Sequence, residues 1–304
     1  LDFCNNFDDR VLNTHEQMDI DEFFVILLDK IEEHLKGTQN ADLVKYFFQG
    51  KNSDELIFQN ACNNNRENAL SFYSIQVQVK NKKSLQESLD SIIDGELMDG
   101  DNKIFCDSCN TKHAAIKRQS FKSLPRMLIF VLKRFKFNYD TMQKIKLNDY
   151  YEFPLTIDMT KYTTEYLHNK SENKSSESKA NQYKLKGIVI HTGHSEGGHY
   201  YAFIRDQNSE NWYEFNDTRV RPFDLKNLKE EAFGGVEVRS DGTKAERAKN
   251  AYLLFYEKIN EEQCVQFDKV NFKENRFDNY EIIQKINQNM FYHHIQKNIF
   301  SKEY

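Results

Sequence analysis

Apolar residues first recur at helical spacing near the start of the chain, where Phe24, Leu27, Leu28, Ile31 and Leu35 share one face and Gly37 is placed to end the element. The spacing predicts a helix over residues 14–35 with two competing starts: Thr14 with Gln17 fits a capping box, and Asp19 with Glu22 fits a second one turn later. Over residues 71–79 the period drops to two, Tyr73, Ile75, Val77 and Val79 alternating with polar residues, which predicts a half-buried strand. Ser84 with Glu87 then caps a helix carrying Leu85, Leu89, Ile92, Ile93 and Leu97, closed by the turn Asp99-Gly100-Asp101. A strand over 114–121 and a central strand over 127–137, turning basic at Lys133 and Arg134, come next, with an edge or turn at Tyr151-Glu152-Phe153-Pro154. Residues 167–182 turn polar and cannot bury enough apolar surface to offset ordering, which predicts a flexible insertion. A strand over 183–190 runs into a loop, His191-Thr192-Gly193-His194. After Asn216 the pattern is less regular until an aromatic strand at 251–256, and residues 259–304 read as a helical C-terminal extension. No internal repeat is present.

The chain is arranged around Gly197-Gly198-His199-Tyr200-Tyr201-Ala202-Phe203. A histidine stands where a glycine-rich turn enters a strand-like run ending at Arg205. A short polar link leads to a second aromatic run, Trp212-Tyr213-Glu214-Phe215, followed directly by Asn216 and Asp217. Two strands joined this way lie antiparallel, so the start of one faces the end of the other and His199 comes within reach of Asn216. A histidine oriented by Asn or Asp is two thirds of a Cys-His-Asn or Ser-His-Asp site. The bland alternative is a hairpin with an incidental histidine; the double glycine and the polar pair at the matched end weigh against it.

Composition narrows the classes. With 304 residues there is room for a large core, as one big domain or two. A net charge of -5, from 42 basic and 47 acidic residues, gives no electrostatic case for nucleic acid. No apolar run reaches the roughly 20 residues that a membrane helix needs, and Leu1-Asp2-Phe3-Cys4 opens nothing like a signal peptide. Five cysteines make a poor disulfide framework, which points to a reducing intracellular compartment, cytoplasmic or nuclear. A start at Leu1 without Met suggests a domain taken from a longer chain.

Cys106 and Cys109 form a C-x-x-C knuckle, but a closed structural zinc site wants four ligands. The stretch before it offers only Cys62, with Gln59 where a second cysteine would complete the spacing. Either three thiolates with His113 or a distant residue close a tetrahedron, or the metal is lost and the cysteines stay as small buried residues.

Taken together and in order, these segments resemble the ubiquitin-specific proteases, papain-like cysteine peptidases that cut after the C-terminal glycine of ubiquitin. The similarity runs from Gln17 to about Lys258. It rests on Gln17-Met18-Asp19-Ile20-Asp21-Glu22-Phe23, Phe48-Gln49-Gly50, the finger cysteines, and Leu124-Pro125 through Leu132-Lys133-Arg134-Phe135. Gly197-Gly198-His199-Tyr200 looks like the histidine box, Trp212 to Asp217 the segment with the third catalytic member, and Ala251-Tyr252-Leu253-Leu254-Phe255-Tyr256 the closing strand. The Phe233-Gly234-Gly235 stretch and the tail look most like the very large, fat-facets-like branch. The resemblance implies an α+β, papain-like fold with a helical thumb, β fingers and a β palm, in a catalytic domain over residues 1–258. It makes His199 the general base, Asn216 the residue that orients its ring, and Asp217 a support for that network or the oxyanion region. Asp19 and Glu22 match positions that meet an arginine of the ubiquitin tail, and Gly198 and Tyr200 are counted with them as substrate-binding. Catalysis would need no cofactor, zinc in the fingers would be structural, and the partners would be ubiquitin and ubiquitinated proteins, with neither nucleic acid nor membrane.

One departure stands out. The family's nucleophile lies in a Gly-Asn-Thr-Cys-type segment well upstream of the Gln17 helix, and the sixteen residues before Gln17 do not form it. Cys4 lacks that context, Cys62, Cys106 and Cys109 belong to the finger, and Cys264 follows the histidine in the wrong order. The expectation is therefore a thiol-dependent deubiquitinase whose Cys segment lies upstream, this chain being inactive without it. The alternative is a non-catalytic ubiquitin-binding or scaffolding relative.

Overall fold

The computed structural model describes residues 18–59, 65–171, 181–195, 197–207, 209–239 and 241–259. Helix α1 (Ile20–Leu35) starts at Asp19, whose carboxylate accepts from the Asp21 N–H at 3.0 Å, so the later of the two starts caps the described helix. Thr14 and Gln17, the earlier pair, lie outside the described residues. Gly37, at φ +77°, supplies the left-handed turn past the helix end. Short α2 (Leu43–Phe48) follows, then β1 (Gly50–Phe58), β2 (Arg66–Phe72) and β3 (Ile75–Gln78). The strand expected over 71–79 is thus two strands. Ile75, Val77 and Val79 are buried and Gln76 and Gln78 exposed as the alternation requires, but the chain bends at Tyr73 and Ser74 as it passes from one sheet to another.

Helix α3 (Leu85–Asp94) is capped by Ser84, which accepts from Glu87 N–H at 3.2 Å, while the Glu87 carboxylate reaches back to Lys83 N–H. It ends one turn before the expected stop. Gly95, at φ +74°, breaks it, and there a Cβ would sit 2.6 Å from the Lys117 carbonyl oxygen. Leu97, assigned to this helix by spacing, instead lies 59% exposed in edge strand β4 (Glu96–Met98). Next come the hairpin β5 (Ile104–Cys106) and β6 (Thr111–His113), then β7 (Ala115–Ser123) and β8 (Met127–Lys133).

The central strand expected over 127–137 breaks at Arg134. This residue is wholly buried, and its guanidinium donates to the carbonyls of Ala251, Leu147 and Asp149 at 2.7, 3.0 and 3.0 Å. The turn this requires throws the chain into a separate hairpin, β9 (Phe135–Asn138) with β10 (Gln143–Lys146). Strand β11 (Thr156–Asp158) and helix α4 (Thr164–Ser171) follow, so the first part of the expected flexible insertion is helical; residues 172–180 lie outside the described set. The remaining elements are β12 (Gln182–Gly193), β13 (Gly198–Arg205), β14 (Trp212–Asn216), β15 (Arg219–Phe223), α5 (Leu228–Ala232), β16 (Val236–Val238), β17 (Lys244–Glu246) and β18 (Lys249–Lys258). The stretch after Asn216 is therefore more regular than its sequence suggests. The helical extension expected beyond residue 259 lies outside the described residues.

Two sheets organise these elements. The finger sheet runs β2-β1-β7-β4, and the palm sheet runs β15-β14-β13-β12-β18-β8-β3 with β11 added beside β12. The main core fills one face of the palm, where Leu89 of α3 and Tyr151, Tyr162, Ile188, Phe203 and Tyr256 are shut off from water. On another patch Val131, Tyr252 and Leu253 pack with Ile20, Phe135 and Tyr200, and Phe24 of α1 meets Phe255 edge-on at 6.0 Å. Thumb helix and palm strands thus join at the N-terminal end of α1.

Candidate active site

Strands β13 and β14 pair antiparallel with Ala202 opposite Phe215 and Arg205 opposite Trp212. Extended by one pair, that register sets Tyr201 opposite Asn216, so His199, two residues from Tyr201 on the same face, is a diagonal neighbour of Asn216, and His199 Nε2 lies 2.7 Å from Asn216 Oδ1. An amide oxygen only accepts, so the ring nitrogen facing it carries the proton and donates. Nδ1 is left with its lone pair, the form a general base needs. The His199 side chain is 43% exposed, open to an incoming group, and the Tyr201 ring lies nearly parallel to it at 6.4 Å.

Asp217 follows at φ 51°, a left-handed conformation that Asp tolerates in the tight turn between Asn216 and Arg219. Its carboxylate is 3.8 Å from His199 Nε2 and 76% exposed, outside hydrogen-bond distance. Asn216, not Asp217, makes the direct contact.

Beneath the histidine, Gly198 is required by packing. A Cβ there would lie 2.3 Å from His191 Nε2 and 2.5 Å from the Thr192 carbonyl oxygen. His191 belongs to β12, not to a loop as its sequence suggested, and its ring is enclosed by Phe135 and Tyr200 at 5.1 and 4.9 Å. Burial and then the Lys146 ammonium push its pKa down to about 4, so the ring is neutral. Lys146 donates to the carbonyls of His191, Gly193 and Ala248 at 3.0, 3.3 and 2.5 Å, tying β10 to the strands that flank the site. Burial and the Arg134 guanidinium push its pKa down to about 7. A cleft of about 400 Å³ opens beside this tie, between β10 and the turn carrying His194 and Ser195. Gly193, which lines it, pairs with Gly198, so the cleft adjoins His199.

Asp19 and Glu22 sit at the N-terminus of α1. Asp19 is already engaged: both its oxygens lie within 2.9 Å of the Tyr252 hydroxyl, while Glu22 is exposed. Burial, and after it the Asp19 carboxylate, push the Tyr200 and Tyr252 hydroxyls above the ordinary tyrosine range. The structure thus brings His199, Asn216, Asp217, Gly198 and Tyr200 together at one end of the palm, with Asp19 linked to them through Tyr252 and Tyr200, whose rings are 6.1 Å apart.

The two described finger cysteines belong to the β5–β6 hairpin. Cys106 is fully buried beside Phe58 and Ala115, whereas Cys109 is exposed in the hairpin turn. His113 Nε2 lies 2.8 Å from the Thr111 hydroxyl. Among the described residues no three His, Cys, Asp or Glu side chains are placed to hold a metal ion. Cys62, like Cys4 and Cys264, lies outside them, so the described donors alone do not make a closed zinc site.

Sequence reasoning passed over His191, Lys146, Tyr201 and Glu214. For Glu214 a signal exists: it precedes Asn216 by two in a strand, hence shares its face. For Lys146 and His191 there is none, because their roles arise from strands distant in sequence.

The model of the family described as "Ubiquitin carboxyl-terminal hydrolase" matches residues 2–256. The chain is 36% identical, over a 329-residue alignment, to human "Ubiquitin carboxyl-terminal hydrolase 34", covering 99% of this chain and 9% of that protein. It is 34% identical to "Probable ubiquitin carboxyl-terminal hydrolase FAF" of Drosophila melanogaster, covering 81% of this chain and 10% of that one. It thus spans about a tenth of the length of these curated relatives. Among solved structures it is similar to a chain of "Structure of the SAGA Ubp8/Sgf11/Sus1/Sgf73 DUB module bound to ubiquitin aldehyde", with a TM-score of 0.64 and 26% identity over 82% of this chain and 52% of that one. With its residues 2–256 matched and a helical thumb, β fingers and a β palm in place, this chain belongs to the ubiquitin carboxyl-terminal hydrolase family.

Proposed function

We propose that this domain serves a thiol-dependent deubiquitinase, hydrolysing the bond after the C-terminal glycine of ubiquitin in ubiquitinated proteins. The observation that carries the reading is the 2.7 Å contact between His199 Nε2 and Asn216 Oδ1, which leaves Nδ1 as the base. In this scheme Nδ1 takes the proton of a cysteine thiol, the thiolate attacks the carbonyl carbon of the terminal glycine, and the resulting imidazolium returns the proton to the leaving amine. Water then releases the acyl group by the same route, with no cofactor. Asn216 holds the ring in place and accepts from Nε2–H throughout, and Asp217 adds negative charge nearby. The ubiquitin tail would lie along the cleft between β10 and the His194 turn, with Glu22, Asp19, Gly198 and Tyr200 at its approach.

The cysteines described, Cys106 and Cys109, are in the finger hairpin, away from the strands that carry His199, so neither serves as the thiol. The non-catalytic alternative is not favoured, because the matched family and relatives bear hydrolase names. No described helix is long and apolar enough to cross a membrane, and we place the protein's work in a reducing intracellular compartment.

The test is covalent labelling by a ubiquitin carrying a C-terminal electrophile, together with turnover of a ubiquitin C-terminal amide. This chain joined to its natural upstream sequence, if that carries a Gly-Asn-Thr-Cys-like segment, should give both, and His199→Ala should abolish turnover. A folded, cysteine-bearing extended protein that does neither would sink the enzymatic reading. Labelling of residues 1–304 alone at Cys4 would relocate the nucleophile.

A further inference from the structure

An asparagine can face a histidine in two ways that differ by a half-turn of its amide. Only one presents Oδ1 to Nε2 and leaves Nδ1 as the base; the other presents the amine and inverts the tautomer. Something must decide between them, and the described structure holds a candidate. Glu214 stands two residues before Asn216 on β14, on the same face, with Oε1 3.5 Å from Asn216 Nδ2. Its residue is only 7% exposed. Its other oxygen accepts from Arg221 at 2.8 Å, and Arg221 is its cross-strand partner on β15.

We propose that Glu214 is a positioning residue, which fixes the Asn216 amide and through it the proton-bearing nitrogen of His199. A salt-bridged carboxylate can only accept, so it draws the amine of Asn216 toward itself and repels the amide oxygen, which is left pointing at the ring. The same negative charge polarises the amide as Nε2–H donates to it. This supplies, one side chain further back, part of what a carboxylate at position 216 would supply directly. Asp217 does not substitute for it. A carboxylate 3.8 Å from the ring attracts a charged imidazolium but imposes no orientation on the neighbouring amide. The consequence for turnover rests on the function proposed above; the consequence for the tautomer does not.

The test reads the His199 ring nitrogens by long-range proton–nitrogen correlation on labelled protein near pH 9, above the ordinary histidine range. The wild-type chain should show the Nε2–H tautomer. In Glu214→Gln the oxygen turns to Arg221 and the amine faces Asn216, so the amide flips and Nδ1–H appears. Adding Asn216→Asp should restore Nε2–H, because a carboxylate at 216 accepts in either orientation. Glu214→Ala, whose loss strands only the 70% exposed Arg221, gives a second variant should the first fail to fold. In an activity-competent extended protein, either variant should lower kcat roughly tenfold with KM unchanged, and Asn216→Asp should shrink that loss. A pure Nε2–H ring in folded Glu214→Gln and Glu214→Ala would overturn the proposal. An inert extended wild-type protein would count against the enzymatic reading alone, since the tautomer is read without turnover.

Discussion

The Tyr252 hydroxyl lies 2.9 and 2.8 Å from the two carboxylate oxygens of Asp19, a contact between residues 233 positions apart. It fastens the first turn of α1 to strand β18, and the same carboxylate caps the helix through Asp21 N–H. Removing a hydroxyl bonded to a charged acceptor should lower stability by about 1–3 kcal/mol. Urea denaturation of Tyr252→Phe measures this, and an unchanged midpoint would show the contact to be inconsequential.

Glu22, exposed in the same first turn, takes no part in the contacts seen at Asp19. If both residues receive a basic residue of the ubiquitin tail, Glu22→Ala should weaken ubiquitin binding on the order of tenfold, about 1.4 kcal/mol, with stability intact. Asp19→Ala should lose both. Calorimetric titration with ubiquitin, run beside thermal melts, separates the two effects, and unchanged affinity in Glu22→Ala would remove it from the tail site.

Gly198→Ala should damage the site from below. Its methyl would press against His191 Nε2 and a backbone oxygen of β12, neither able to yield without moving the strand that carries His199. Overpacking of this kind costs about 1–3 kcal/mol, and the His199–Asn216 contact should loosen with it. A melt matching wild type would show that the strand gives way more easily than its pairing suggests.

Acid should expose His191. Its pKa is about 4 when folded and in the ordinary range near 6.5 when unfolded, so between these values the unfolded chain takes a proton that the folded one refuses. Stability from this group is therefore full above pH 6.5 and falls as pH drops toward 4. His191→Gln should flatten the dependence of unfolding free energy on pH in that window. Parallel slopes for the two proteins would place the acid sensitivity elsewhere.

Metal analysis decides the fingers. If Cys62 joins Cys106 and Cys109 around zinc, the protein should carry about one equivalent, lost on Cys106→Ser. A folded, metal-free protein with titratable thiols would leave Cys106 as a small buried core residue beside Phe58.

What could be read from sequence depended on how local its cause was. The His199–Asn216 pair was legible because a short polar link sets their two strands side by side and the strand period of two lets both side chains share one face. The break at Arg134 was not, since residues 127–137 read as one apolar-to-basic run and the cause is three carbonyls supplied by β18 and the 147–149 segment. Strand β15 was missed because Pro222 reads as a breaker, yet it lies in the edge strand, where a missing N–H is tolerated. Helix α4 was missed because its sequence is polar and, among its residues of described burial, Thr164 at its start is the one that is buried. Leu97 went to the wrong element because its spacing continued the helix past Gly95, whose left-handed backbone stops it.

Strand β18, last of the described strands to be made, does not sit at an edge. It lies between β12 and β8 and bonds to both. While the ribosome is still short of residue 249, those two strands cannot join through it, and each offers an open flank to any other extended chain. The palm therefore closes only after nearly all of its sequence has been synthesised, and nascent chains depend on protection until then. A stop codon before Lys249 would yield a split sheet with adhesive borders, a substrate for quality control, and not merely a weaker form of the protein.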